Sequence, residues 1–280
     1  MLVECLWTYL WMWIMSGVKR VWFIVGFAVT GIIAAGFLPP IPQDPAYHHF
    51  ADRRGLAGIP NALNVLSNAP FILVGALGWA FLLRQGRQRH DGPLTNPWER
   101  TAFLILFAGI GLTGFGSAYY HRAPDTLTLF WDRLPMTIVL MSLLAITVGE
   151  RIGVPAGRRL LPVLLAAGAG SVVYWILGEL RGAGDLRAYG LVQFLPLLAI
   201  PLMLFLFPPR YTRAGDLFAA LGWYALAKIF EALDAQVFAV GGVVSGHTLK
   251  HLAAAAAMYW ILRMVKRRRP LSDSPPESRR

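Results

Sequence analysis

The chain has 280 residues, of which 56% are hydrophobic and only 15% are charged. This composition excludes an ordinary soluble domain, in which about a quarter of the residues are charged. The formal net charge of +11 does not predict a nucleic-acid partner, because Arg and Lys are distributed over the segments between apolar runs. We therefore predict an integral membrane protein that is surrounded by membrane lipids and binds no nucleic acid.

Eight apolar runs have the length of roughly 17–25 residues with which a helix crosses a bilayer. In chain order they are 21–38, 62–84, 101–119, 127–148, 159–179, 188–207, 215–232 and 248–265. None of them alternates apolar and polar residues with a period of two, which disfavours a transmembrane β-barrel. The pattern predicts an all-α polytopic membrane helical bundle.

The same runs divide the chain into a core and its additions. Residues 62–265 hold seven runs and form the predicted seven-helix catalytic core. Before it come an N-terminal extension (1–20), one extra transmembrane helix (21–38) and an outer loop (39–61). Residues 266–280 are basic and rich in Ser, Pro and Arg, and we predict a disordered cytoplasmic tail.

Arg and Lys are concentrated in alternate loops, and this sets the predicted orientation. Cytoplasmic loops carry the excess of positive charge in membrane proteins, so the distribution predicts that both termini are cytoplasmic. With eight spans, the helix ends near residues 119, 127 and 248 then lie at the outer face. The Arg- and Ala-rich composition predicts a bacterial cell membrane.

Five polar residues at those helix ends predict a metal site. His247 and His251 have the i, i+4 spacing that lets one helix face hold a cation, and His121 supplies a third imidazole. Three nitrogen ligands leave the fourth position of zinc open, as in catalytic sites. Asp132 is the expected general base. Ser117 precedes His121 by one turn and is expected to donate to a developing oxyanion, since no free histidine remains to activate it as a nucleophile.

Other polar residues leave two interpretations open. Asn61, Asn64 and Asn68 fall on one face of the second helix and either join packed helices or line a pocket. Lys228 and Glu231 have i, i+3 spacing and either pair within the bundle or bind a polar lipid head.

Several motifs resemble those of the alkaline ceramidases. Segment 116–121 (GSAYYH), followed by 132–136 (DRLPM), resembles their G-S-x-x-[FY]-H and D-x-L-P-M signature. Segment 246–251 (GHTLKH) resembles their closing G-H-x-x-x-H, and 64–68 (NVLSN) is similar to their N-x-x-S-N. The resemblance covers residues 52–265 and extends to a wider superfamily of seven-helix membrane hydrolases and receptors.

The resemblance implies a specific chemistry. It implies a seven-helix core, a zinc ion held by His121, His247 and His251, and catalytic roles for Asp132 and Ser117. It also implies hydrolysis of a lipid amide such as ceramide to a fatty acid and a sphingoid-type amine.

The chain also departs from the family pattern. The helix at 21–38 is additional, and segment 47–54 with Asn61 stands where eukaryotic members have an acidic calcium-binding segment, which disfavours Ca²⁺. Two other functions remain open: a non-enzymatic receptor that keeps zinc for structure, and a transporter with Lys228 and Glu231 along its path. No inverted repeat supports transport.

Overall fold

The computed structural model describes residues 16–85 and 92–271, and every regular element within these ranges is a helix. The all-α prediction is therefore confirmed. The elements are α1 (Gly17–Phe37), a 3-10 helix (Pro45–His48), α2 (Ala62–Leu66), α3 (Ala69–Arg84), α4 (Pro97–Arg122), α5 (Thr126–Arg151), α6 (Val154–Glu179), α7 (Arg187–Leu206), α8 (Gly215–Ala232), α9 (Asp234–Gly241) and α10 (Gly246–Arg267).

Six helices within the described ranges are long and apolar enough to cross a membrane. They are α1, the pair α2 and α3 taken together, α4, α5, α6 and α7. Helices α8 and α10 match two further predicted runs, but they are more polar, with Asp216, Lys228 and Glu231 in α8. The protein is therefore an integral membrane protein built as a helical bundle.

The bundle is packed around apolar side chains from several helices. Helix α4 packs against α3 and α5, α5 against α6 and α7, and α10 against α8 and α3. Phe103, Phe107, Ile146, Ile200 and Ile261 are buried in the resulting core. Helix α1 packs on α7 and buries none of its residues, so it lies outside the bundle as an added helix.

The second predicted span is interrupted at Ser67 and Asn68. The side-chain amide of Asn68 donates to the backbone carbonyls of Asn64 and Val65, at 2.8 and 3.4 Å. These bonds compete with the backbone hydrogen bonds of a continuous helix. Pro70 at the start of α3 has no backbone N–H to continue the ladder. The break turns the polar side chains of α2 towards the end of the bundle that carries the predicted metal site.

The boundaries of the terminal segments differ from the prediction. Helix α1 begins at Gly17 with Ser16 as its N-cap, while residues 1–15 of the predicted extension lie outside the described residues. The prediction of a disordered tail is wrong for its first residues, because α10 continues to Arg267 and Arg268 is buried. Arg268 binds Glu150 and the carbonyl of Pro93, and these partners order the segment. Residues 272–280 lie outside the described residues.

Candidate metal centre and active site

Three buried histidines meet at one end of the bundle. His121 lies in the last turn of α4, while His247 and His251 lie in the first turns of α10. Their ligand nitrogens all lie within 4.8 Å of one another, and Nε2 of His121 is 3.2 Å from Nε2 of His247. Two helix ends that are far apart in the sequence therefore bring three imidazoles together.

This arrangement fits a metal ion. Two nitrogens at about 2.0–2.1 Å from a tetrahedral zinc are separated by about 3.3 Å, close to the observed distance between His121 and His247. The rings of His121 and His247 point nitrogens, not carbon atoms, at each other. Two imidazole lone pairs repel unless a proton or a cation lies between them, so this geometry favours a bound cation. The donor set consists only of imidazole, which suits zinc and other transition metals better than calcium.

Neighbouring polar groups fix the orientation of His251. Its Nδ1 is 2.8 Å from Oγ of Ser67, which in turn donates to the carbonyl of Asn64 at 3.1 Å. With Nδ1 occupied in this way, Nε2 of His251 is the atom available to a metal. The motif around Ser67 thus orients one of the predicted ligands, a role different from the helix packing and pocket lining that the sequence suggested for this polar face.

The start of α10 is held by a second set of contacts. The Ser245 hydroxyl caps the helix by accepting from the backbone N–H of Thr248 at 3.2 Å. The Thr248 hydroxyl donates to Oδ1 of Asn64 at 2.9 Å, and Asn61 donates to the carbonyl of His121 at 2.9 Å. The asparagines of α2 therefore connect the helix ends that carry the histidines.

The loop between α1 and α2 covers the histidines with an aromatic ring. Phe50 lies with its ring centre 4.6 Å from that of His121 and 4.4 Å from that of His247. Asp234 accepts from the backbone N–H groups of Ala51 and His247, at 2.9 and 2.7 Å, and so joins the loop to α10. No sequence motif indicated these roles of Phe50 and Asp234.

An ion pair holds the same loop in place. Arg54 binds Asp52 at 2.8 Å and donates to the carbonyls of Gly242 and Val243, both at 2.7 Å. The hydrogen bonds from Arg54 hold the pKa of Asp52 below its usual value. Asn64 also donates to the carbonyl of Asp52, at 3.1 Å, so the loop is attached to both α2 and the segment before α10.

Ser117 and Asp132 lie beside the histidines. Both are buried, their side chains interact, and together with His251 they line one cavity. Gly116 permits this approach, because a Cβ at this position would collide with the backbone oxygen of Trp131 in α5. The predicted base and hydroxyl donor are therefore adjacent to each other and to one of the predicted ligands.

The cavity that begins at these residues is mainly apolar. Along α10 its lining extends from His251 to Ile261, about 15 Å from the helical rise per residue. Its apolar walls include Phe71, Ile110, Val139, Leu143, Met258 and Ile261. The cavity thus runs from the polar site into the interior of the bundle.

A second, charged chamber adjoins the first cavity and shares Asp132 and Lys250 with it. The predicted pair of Lys228 and Glu231 lies here, and Lys250 joins it at 2.7 Å from Glu231. The apolar cavity and the charged chamber therefore meet at Asp132 and Lys250.

Comparison with known proteins identifies the family. A family model described as Ceramidase matches residues 57–203, about half of the chain. The chain belongs to the ceramidase family. Membership makes the protein an amide hydrolase of a metal-dependent family, and the three buried histidines form a set with the geometry to hold a metal ion. The matched region contains His121, Ser117 and Asp132 and ends before His247 and His251. A comparison with curated proteins found no match.

Proposed function

We propose that this ceramidase-family protein is a zinc-dependent membrane amidohydrolase that cleaves a ceramide-like lipid to a fatty acid and a sphingoid-type amine. The observation that carries the proposal is the convergence of three imidazoles beside a buried carboxylate at the mouth of an apolar cavity. His121, His247 and His251 are the proposed metal ligands.

The reaction is the addition of water across an amide bond. The carbon–nitrogen bond breaks, the water oxygen joins the acyl carbon, and the leaving nitrogen gains a proton. Zinc, when bound, supplies the Lewis acidity that makes water a nucleophile near neutral pH. Asp132 accepts a proton from the attacking water and returns it to the leaving nitrogen. The Ser117 hydroxyl donates to the carbonyl oxygen as negative charge develops there.

The apolar cavity is the proposed site of the acyl chain. Its length of about 15 Å is half of the roughly 30 Å hydrocarbon core of a bilayer, so it suits one acyl chain drawn from one leaflet. The scissile carbonyl then lies at the polar end, next to Ser117 and Asp132. Burial of the chain supplies about 0.8 kcal/mol for each methylene.

The test measures metal content and fatty-acid release on the same purified preparations. Wild type is expected to contain about one zinc per chain and to release fatty acid from ceramide, whereas His247→Ala and His251→Ala lose both properties. His49→Ala, which removes an exposed histidine at the same end of the bundle, is the matched control and retains both. Zinc with no turnover across a panel of lipid amides and esters would instead favour the receptor.

A further inference from the structure

The charged chamber has fewer carboxylates than cations. Its charged lining comes from α5, α8 and α10 and comprises Asp132, Arg133, Lys228, Glu231 and Lys250. Glu231 is the shared partner of both lysines. Its single negative charge therefore faces two ammonium groups, and Arg133 adds a further positive charge.

Arg133 is the most unusual member of this group. Its side chain is only 6% exposed, and one nitrogen, Nη2, donates to Oε1 of Gln43 at 2.7 Å. The other, Nη1, is buried without a hydrogen-bond partner, and none of the ion pairs among the described residues includes Arg133. Asp132 is the second carboxylate of the chamber and interacts electrostatically with Arg133, so three cations face two carboxylates. Uncompensated buried charge is costly, so the chamber favours a ligand that supplies negative charge.

Aromatic rings hold the guanidinium in place. It lies over the rings of Trp175 and Tyr189, 4.3 and 4.8 Å from their centres, and 5.5 Å from that of Tyr47. Such contacts restrict the guanidinium without neutralising it. The guanidinium is therefore held in place in the lining of the chamber, directly after Asp132 in the sequence.

We propose that the charged chamber binds an anionic group on the amine half of the lipid amide. This inference rests on the proposed function and names its substrate class more closely. The acyl chain occupies the apolar cavity, the amide lies at Asp132, and the headgroup enters the adjoining charged chamber. A guanidinium suits carboxylate and phosphate equally, since it offers paired N–H groups to either. A neutral headgroup supplies no charge to offset the excess of cations in the chamber.

Two matched pairs of lipids test the charge preference in binding. N-acylglycine carries a carboxylate where N-acylethanolamine of the same chain length has a terminal hydroxymethyl group, and ceramide phosphate carries a phosphate on a hydroxyl that is free in ceramide. Affinities are measured in the His247→Ala background, which is expected to lack activity and leaves every charged residue of the chamber in place, so that neither lipid is consumed. In at least one pair, the acidic lipid is expected to bind more tightly than its neutral partner, by about tenfold or more. The pair with the larger ratio of acidic to neutral affinity shows whether the chamber prefers a carboxylate or a phosphate.

Variants of Arg133 connect the preference to this residue. Arg133→Gln should reduce the ratio of acidic to neutral affinity to near one, whereas Arg133→Lys, which keeps the charge, should retain part of it. Arg181→Gln removes an exposed arginine from the loop after α6 and should leave the ratio unchanged. If Arg133→Gln does not fold, Lys228→Gln at the partly exposed side of the chamber should lower the same ratio.

The outcomes separate this inference from the proposed function. Equal affinities for both members of each pair in the His247→Ala background would overturn the inference, as would an Arg133→Gln variant that keeps the full ratio. Turnover of neutral and acidic lipids at equal kcat/KM would also overturn it while leaving the hydrolase intact. A clear preference in binding with no hydrolysis by zinc-loaded wild type would support the headgroup site and contradict the hydrolase.

Discussion

The three histidines depend on different neighbours for their positions. Ser67 holds the ring of His251 by its Nδ1, Asp234 holds the backbone of His247, and Asn61 holds the backbone of His121. Hydrogen bonds of this kind select the tautomer and the ring direction of a ligand. The affinity of the centre for metal therefore depends on residues that do not touch the ion.

Ser67→Ala is expected to weaken zinc binding by about 10–100-fold, because Nδ1 of His251 loses its partner. Ser142→Ala is the matched control, since Ser142 is also buried but its hydroxyl has no hydrogen-bond partner in the structure. Competition with a calibrated chelator measures both affinities. Equal affinities in the two variants would show that Ser67 does not orient the ligand.

Asp132→Asn is expected to keep the metal and to lower kcat by about 10²–10⁴-fold, because an amide cannot accept the proton. Asp44→Asn, at an exposed position of the loop between α1 and α2, should leave both metal content and rate unchanged. The rates are followed as fatty-acid release from ceramide. A wild-type rate in Asp132→Asn would show that Asp132 is not the general base.

At the scale of secondary-structure elements, the close approach of α4 to α5 brings Ser117 to Asp132. Gly116 makes this approach possible, as no side chain separates the two helices at Trp131. The loop between α1 and α2 also shapes the site, because it places Phe50 over the histidines. The ion pair of Asp52 and Arg54 holds this loop.

Gly116→Ala should destabilise the protein by about 1–3 kcal/mol through overpacking and lower activity by moving Ser117 away from Asp132. Gly111→Ala in the same helix has no atom near the added Cβ and should stabilise α4 by roughly 0.5–1 kcal/mol. Thermal unfolding and fatty-acid release measure the two effects. A Gly116→Ala protein that is as stable and as active as Gly111→Ala would contradict the close-contact account.

The Asp52–Arg54 pair predicts a dependence of stability on pH. Arg54 lowers the folded-state pKa of Asp52, so the pair stabilises the fold above the unfolded value of about 3.9 and loses this effect as pH falls further. The difference in Tm between wild type and Asp52→Asn should be largest near neutrality and shrink below about pH 4. A difference that persists unchanged in acid would exclude the charge as its cause.

For the whole molecule, the predicted orientation has a direct test. Both termini are predicted to be cytoplasmic, which puts the histidine end of the bundle at the outer face. In a Cys5→Ser background, an impermeant thiol reagent should label Arg181→Cys, at the histidine end, in intact cells. It should not label Arg158→Cys, near the start of α6 at the opposite end. Labelling of Arg158→Cys but not of Arg181→Cys would show that the orientation is the reverse of the predicted one.

Long apolar runs made the helices predictable, since burial in lipid leaves few alternatives to a helix. The convergence of His121 with His247 and His251 was predictable as well, because alternation of the spans brings their helix ends together. The break at Asn68 was not predicted, as it depends on a side chain bonding to its own helix. Phe50 and Arg133 also gave no signal in sequence, because their roles arise from contacts between distant segments.

Fatty-acid release by metal-free wild type, before and after titration with zinc, tests the central claim most directly. The account predicts no release from metal-free protein and full recovery at about one zinc per chain. Release at the full rate from protein verified to be free of metal would contradict it.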